Sequence, residues 1–324
     1  MVKAIRIHRT GGPEVLRWEE IELGSPGPGE ALVRHTAIGL NFLDTYQRSG
    51  LYPLNLPAVI GSEAAGVVEA VGPGVHEVTG GDRVAYAGGA VGAYAEKRLI
   101  AAHRLVPLPA DVNDRDAAAA MLKGMTAHYL LRRTFQVKEG DAVLIHAAAG
   151  GVGLIACQWA HHLGAVVIGT VSTEEKAALA RAHGCDHPIV TSRESFAARV
   201  REVTGGEGVE VVYDSVGKDT FEASLDCLKP LGLMVSFGNS SGPVPPFAPA
   251  LLAAKGSLFL TRPLLMTYTA KREDLLASAA ELFEVMRSGA VTIEVNQTYP
   301  LSHAARAHRD LEARRTTGST VLLP

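Results

Sequence analysis

Residues 141–158 read Asp-Ala-Val-Leu-Ile-His-Ala-Ala-Ala-Gly-Gly-Val-Gly-Leu-Ile-Ala-Cys-Gln, and no other stretch limits the fold of this chain as sharply. The apolar run Ala142–Ile145 predicts a buried strand. The small residues Ala147–Gly153 predict a tight turn, and Leu154–Leu163 a helix stopped by Gly164. Strand, turn and helix in that order are what a dinucleotide phosphate site needs. Side-chain-poor residues let the backbone approach a pyrophosphate, and the helix start offers unpaired N–H groups and partial positive charge. Ala149, Gly150, Gly151, Val152 and Gly153 are the candidate contacts. The spacing Ala147-x-x-Gly150-x-x-Gly153, with an extra Gly151, departs from G-x-G-x-x-G. A glycine-rich turn also serves plain close packing, so the flanking segments decide.

From Asp141 onward strand-like and helix-like segments alternate. Strands are expected at 142–147, 165–171, 187–190, 209–214, 232–237 and 257–261, and helices at 154–163, 174–183, 195–204, 219–228 and 247–254. Six strands joined by crossover helices predict an α/β fold with a doubly wound, parallel, six-stranded sheet. Residues 1–120 differ. The β-like runs Ala31–Leu40, Gly66–Val71, Asp82–Tyr86 and Gly92–Ile100 are broken by Gly and Pro turns, the pattern of a strongly bent β domain. Helical character begins near Asp114. After residue 262 a helix at 273–288, a Val/Ile run at 291–295, a helix near 302–314 and a strand Thr320–Leu323 read as a return to the first domain. The expected division is 1–124 β-rich, 125–262 dinucleotide-binding and 263–324 returning, which suits a length of 324 residues.

A formal charge of −3 leaves no electrostatic footprint for nucleic acid, and no apolar stretch is long enough to span a bilayer. The opening Met-Val-Lys-Ala-Ile-Arg-Ile-His alternates like a strand and lacks a signal-peptide core. Three scattered cysteines, Cys157, Cys185 and Cys227, fit reduced thiols in a cytoplasm rather than a disulfide framework.

The span Gly140-Asp141-x-x-Leu144-x-x-x-Ala148-Ala149-Gly150-Gly151-x-Gly153, followed by Gln158, resembles the fingerprint of quinone oxidoreductases related to ζ-crystallin. These form the zinc-free branch of the medium-chain dehydrogenase/reductase superfamily. The one departure is His161, where Lys, Arg or Ser is usual. Gly-Gly-Pro-Glu-Val-Leu (11–16), Asn41-Phe-Leu-Asp-Thr-Tyr46, Gly61-Ser-Glu-Ala-Ala-Gly66, Gly81-Asp-Arg-Val84, Tyr213-Asp-Ser-Val-Gly217 and Phe237-Gly-Asn-Ser-Ser-Gly242 extend the likeness almost end to end. The resemblance implies a GroES-like catalytic domain closed by the tail, an inserted Rossmann domain and an active site in the cleft between them. It also implies a homodimer paired through the Rossmann sheet edge, for which Gly256–Thr261 supplies a strand. Relatives also include a lens crystallin and RNA-binding proteins, which gives a structural or RNA-binding alternative that the net charge disfavours.

Zinc enzymes of the superfamily supply a Cys and then a His from the first domain. At the matching positions this chain has Asn41 and Ser62, poor zinc ligands, and no cysteine precedes residue 157. No metal is expected. The second strand of the alternating region ends Gly169-Thr-Val-Ser-Thr173 with no carboxylate before Glu174, and Lys176 follows in the next helix. Hydroxyls of Ser172 and Thr173 with the Lys176 cation suit a 2′-phosphate and point to NADPH, although the same residues also read as an N-cap. The resemblance adds Arg314 and, where relatives often carry Tyr, Thr191 beside Arg193. It also places Asn41, Tyr46, Tyr52 and Thr126 around the nicotinamide and substrate, and the loop holding Phe237, Gly238 and Ser240 along the cofactor. Asn and Tyr would supply donors near a quinone's oxygens. Asp44 reads as a helix cap and Glu63 as structural. The expected reaction is zinc-independent reduction of quinones by NADPH, with reduction of an enone or acryloyl C=C bond as the rival.

Overall fold

The computed structural model describes residues 1–324. In chain order the opening elements are β1 (Val2–Ile7), β2 (Arg17–Ile21), β3 (Glu30–Leu40), α1 (Phe42–Ser49), β4 (Ala58–Val59), β5 (Glu63–Val71), β6 (Arg83–Ala87), β7 (Lys97–Ala101), β8 (Val106–Pro107) and α2 (Asp114–His128). The alternating region follows with β9 (Ala142–Ile145), α3 (Gly151–His162), β10 (Val166–Val171), α4 (Glu174–Ala182), β11 (His187–Val190), α5 (Phe196–Val203), β12 (Val209–Asp214), α6 (Phe221–Leu225), β13 (Leu228–Ser236), α7 (Ala250–Ala254) and β14 (Phe259–Thr261). The chain continues through α8 (Leu265–Tyr268), α9 (Arg272–Arg287), β15 (Val295–Pro300), α10 (Ala304–Glu312) and β16 (Ser319–Leu323).

These elements form two units. The first comprises Met1–Met125, Tyr268–Arg287 and Ile293–Pro324, and the second Thr126–Thr267 with Ser288–Thr292. In the first unit β2-β1-β4 make a small sheet, while β15-β16-β3-β5-β6-β8 run across a larger one in which β7 also pairs with β3. Register shifts in the β3–β5 ladder, at Leu32/Val33 and His35/Ala37, are bulges that bend the long strands. Ile5, Val33, Ile38, Tyr86, Tyr94 and Leu322 are among the side chains packed inside. The late strand β16 lies between β15, to which it is parallel, and β3, to which it is antiparallel.

The second unit is the expected doubly wound sheet. Its order is β11-β10-β9-β12-β13-β14 with every pair parallel, which is the Rossmann arrangement. Leu144, Ile168, Val212 and Met234 from four successive strands meet α5 and α6 residues such as Val200 and Leu225 in its core. Some boundaries move. Helix α3 starts at Gly151 rather than Leu154, because the turn needs only Ala147, at φ 54°, and Gly150 as N-cap. Of the run at 291–295 only Val295 is in a strand, where β15 and its pairing with β16 begin. The Gly92–Ile100 run supplies a strand only from Lys97, since Ala93–Glu96 bond out of register to Gly61, Ile60 and Lys3.

Candidate active site and dinucleotide cradle

In an open parallel sheet the ligand crevice lies beyond the carboxyl ends of the strands where the order reverses, here β9 and β12. After β9, Gly150 N–H closes on Ala147 O at 2.8 Å, and α3 begins with Gly151, Val152 and Gly153. Their N–H groups precede the first intrahelical bond, from Leu154 to Gly150 O, and so point out of the helix start. Gly153 lies against the turn itself: a Cβ there would stand 2.2 Å from Ala147 O and 2.8 Å from the Ala148 carbonyl carbon. The close approach of helix to turn therefore requires glycine. Behind the turn His146 is buried, bonded through Nδ1 to Thr170 Oγ1 and through Nε2 to Ser224 Oγ, both at 2.8 Å. Burial holds its pKa below the ordinary value, so it acts as a neutral brace between β9, β10 and α6.

At the end of β10, Thr173 caps α4 by accepting the Lys176 backbone N–H at 3.3 Å. Ser172, Thr173 and Lys176 are thus brought together at one helix start. Thr191 faces the same strand end, its hydroxyl on Val171 O at 3.2 Å. Arg193 is engaged by Glu174 across the surface. Arg314 belongs to the first unit, just after α10, with φ 58°.

The Phe237–Ser240 loop is stitched down from two sides. Backbone bonds run from Phe237 N to Asp214 O at 2.8 Å and from Ser240 N to Ser215 O at 3.2 Å. The Asp214 carboxylate, fully buried, accepts Val216 N, Gly217 N and the Thr220 hydroxyl. From β14's end, Arg262 donates to Ser236 O at 2.9 Å and Gly238 O at 3.0 Å. Sequence reasoning missed Arg262 as the brace of this loop.

The reacting-end candidates of the first unit gather on and around α1. Asn41, in extended conformation, is its N-cap, and Asp44 closes the turn by accepting the Asn41 backbone N–H at 2.9 Å. The expected capping role of Asp44 is present, within a longer chain of bonds. Arg48, paired with Glu312, also meets His308 Nδ1 at 3.2 Å, and an arginine only donates. His308 therefore keeps its proton on Nε2, which faces Tyr94 Oη at 3.1 Å, and Tyr94 donates to Asp44 Oδ2 at 2.9 Å. Burial, followed by the Arg48 charge, pushes the His308 pKa down to about 3. Burial raises Asp44 to about 7 and, with the adjacent Asp44 carboxyl, holds Tyr94 well above its ordinary value. Tyr46 and Tyr52 pack edge to face at 5.3 Å between ring centres. Thr126, buried within α2, opens the second unit.

Asn41, expected as a donor, directs one of its two amide N–H groups into the protein. Its Nδ2 already donates to Glu63 Oε2 at 2.9 Å, and Glu63 is fully buried and paired with Lys123 at 3.1 Å. A carboxylate in the apolar Ala-Ala-Gly-Val-Val context of β5 was the available signal for this pair. Ser62, where a zinc enzyme would place an imidazole, is buried with its hydroxyl unpartnered. No three His, Cys, Asp or Glu side chains are gathered as a metal-binding group.

Comparison with known proteins identifies the family. The family described as "Alcohol dehydrogenase GroES-like domain" matches residues 27–110, and that described as "Zinc-binding dehydrogenase" matches 151–280. A quinone oxidoreductase of Pseudomonas aeruginosa is 56% identical over 100% of both chains. A 2-haloacrylate reductase of a Burkholderia species is 52% identical over 100% of this chain and 99% of its own. The crystal structure of Escherichia coli quinone oxidoreductase complexed with NADPH has a TM-score of 0.98 at 50% identity, covering 99% of this chain and 100% of that one. With Asn41 and Ser62 where a zinc site would need thiolate and imidazole, the chain belongs to the quinone oxidoreductase family, in the zinc-free branch of the medium-chain dehydrogenases/reductases.

Proposed function

We propose that the protein is an NADPH-dependent oxidoreductase that reduces quinones without a metal. The observation that carries this is the β9–α3 turn, whose glycine at 153 leaves room only for backbone, with Lys176 and two hydroxyls at the end of the neighbouring strand. The turn suits a pyrophosphate, and the cation and hydroxyls suit a 2′-phosphate. Ala149 to Gly153 hold the diphosphate, Ser172, Thr173, Lys176, Thr191 and Arg314 the phosphorylated ribose, and Phe237, Gly238 and Ser240 the adjoining stretch. Bound NADPH supplies a hydride from its nicotinamide ring. The chain's own part is to orient that ring and the acceptor through Asn41, Tyr46, Tyr52 and Thr126. No side chain is assigned as obligatory proton donor, because a reduced quinone oxygen takes its proton from water.

Reduction of an activated C=C bond is a second reading, favoured by the relative named a 2-haloacrylate reductase. Both substrates present a conjugated carbonyl to the same hydride. The test titrates NADPH and NADH by fluorescence on wild type and Lys176→Ala, then follows NADPH oxidation with several quinones and a matched enone. NADPH binding that weakens selectively in Lys176→Ala, with turnover on quinones, supports the reading. Absence of dinucleotide binding, or of turnover with every acceptor, refutes it.

The edge strand β14 carries Phe259 at 61% exposure and pairs only with β13. This supports a homodimer formed along that edge, and a monomer mass in light scattering at micromolar concentration would exclude it. Three buried, unbridged cysteines support a reducing, cytoplasmic setting.

A further inference from the structure

Ala147 opens the turn after β9 in a backbone conformation that a side chain disfavours. Its φ of 54° lies in the left-handed region, and the residue is exposed, so no packing of its methyl group compensates. Left to itself it would relax out of this region. The carbonyl that Gly150 N–H grips at 2.8 Å, and that Gly153 packs against, would move with it. The restraint comes from one residue on the neighbouring strand. Thr170, in β10, meets both chain neighbours of Ala147: its carbonyl accepts the Ala148 N–H at 3.0 Å, and its hydroxyl lies 2.8 Å from His146 Nδ1.

The direction of that second bond is fixed from the far side of the imidazole. Ser224 donates its one hydroxyl proton to Thr220 O at 2.7 Å, so toward His146 it can only accept. His146 therefore carries its proton on Nε2, gives it to Ser224 Oγ at 2.8 Å, and leaves Nδ1 bare to accept from Thr170. Its backbone N–H on Tyr213 O at 3.0 Å and its ring edge against Phe196, 5.0 Å between centres, hold it from β12 and α5.

We infer that His146 is a positioning residue for the cofactor: with Thr170 it holds Ala147 left-handed, and so keeps the turn in its diphosphate-binding shape with alanine where glycine would be free of strain. This rests on the proposed placement of the diphosphate at the turn. With the brace, the strain is met during folding, before the cofactor arrives. Without it, Ala147 relaxes in the free protein, and NADPH has to drive it back.

The test is a suppressor. His146→Leu removes both side-chain bonds and is expected to raise the NADPH dissociation constant, measured by fluorescence without acceptor, about tenfold. Glycine adopts a φ of 54° without strain. In an Ala147→Gly background the same substitution is therefore expected to weaken binding less than about threefold. Thr170→Val removes only the hydroxyl and is expected to act in the same direction, with the same relief from Ala147→Gly. If His146→Leu does not melt cooperatively, the Thr170→Val pair decides. A side chain that merely fills the core would lower Tm without any relief from Ala147→Gly.

Wild-type NADPH binding by His146→Leu and Thr170→Val overturns the inference, as does a loss that Ala147→Gly leaves undiminished. Gly153→Ala separates the brace from the placement it rests on. If Gly153→Ala weakens NADPH while His146→Leu does not, the brace alone is wrong. If Gly153→Ala binds NADPH as wild type does, the diphosphate lies elsewhere and the inference falls with its placement.

Discussion

Asp44→Asn isolates the energetic consequence of placing an acid inside the first unit. Asp44 has no exposed surface, and its Oδ1 finds no partner, while Oδ2 accepts Asn41 N and the Tyr94 hydroxyl. Tyr94 and, beyond it, His308 and Arg48 face it from one side, and the charges of Lys123 and Glu63 act from another. Burial raises its pKa from the ordinary 3.8 to about 7. Between those values the native chain holds a proton that the unfolded chain has released. The stability this contributes is complete below pH 3.8 and is lost as pH rises through about 7. Asparagine mimics the protonated acid at every pH. Relative to wild type, Asp44→Asn should therefore gain about 3 kcal/mol between about pH 5 and pH 9. Urea unfolding at those pH values measures the gain as a shift in midpoint at constant slope. The two tryptophans are divided between the units, so a Trp159→Phe background leaves Trp18 to report on the first unit. A stability difference that stays flat across this range would refute the argument that burial confers a proton on Asp44.

Two further outcomes follow from the cradle. Gly153→Ala forces a Cβ to within 2.2 Å of Ala147 O, and the opened turn should raise the NADPH dissociation constant at least about tenfold while costing about 1–3 kcal/mol of stability; an unchanged constant would show that the turn does not hold the diphosphate. Arg262→Met releases Ser236 O and Gly238 O, which should raise KM for NADPH about tenfold with kcat nearly kept, and a fall in kcat alone would contradict a purely positioning part for the loop.

The second unit was largely legible because its signals are local. An apolar run, a small-residue turn and a helix lie within a few residues of each other, and repetition gives strand count and order. Helix α3 begins three residues before the expected Leu154 because Gly151 and Gly153 carry no side chain and Val152 alone sets no periodicity. The first unit's chemistry was harder to read. Asn41, Glu63 and Lys123 meet only after β3, β5 and α2 have packed, and Tyr94 meets His308 across most of the chain. No spacing rule connects such partners. Glu63 was visible only as an acid in an apolar run, a pattern that marks a buried charge without naming its partners. Arg262 was hidden for the opposite reason. Its acceptors are backbone carbonyls, which leave no trace in side-chain identity.

The place of β16 gives the chain an order of assembly. This strand fills the slot between β15 and β3, yet it is made only after the whole of the second unit has been translated. The second unit is nearly continuous and can collapse while it emerges from the ribosome. The larger sheet of the first unit must wait, with the Ile38–Leu40 edge of β3 unpaired until Thr320–Leu322 arrive. A nascent chain stalled before β16 therefore presents an open, apolar strand edge, the kind that chaperones cover and that seeds aggregation. Truncation of these last few residues would act less as a loss of catalytic parts than as a permanent arrest at that exposed stage.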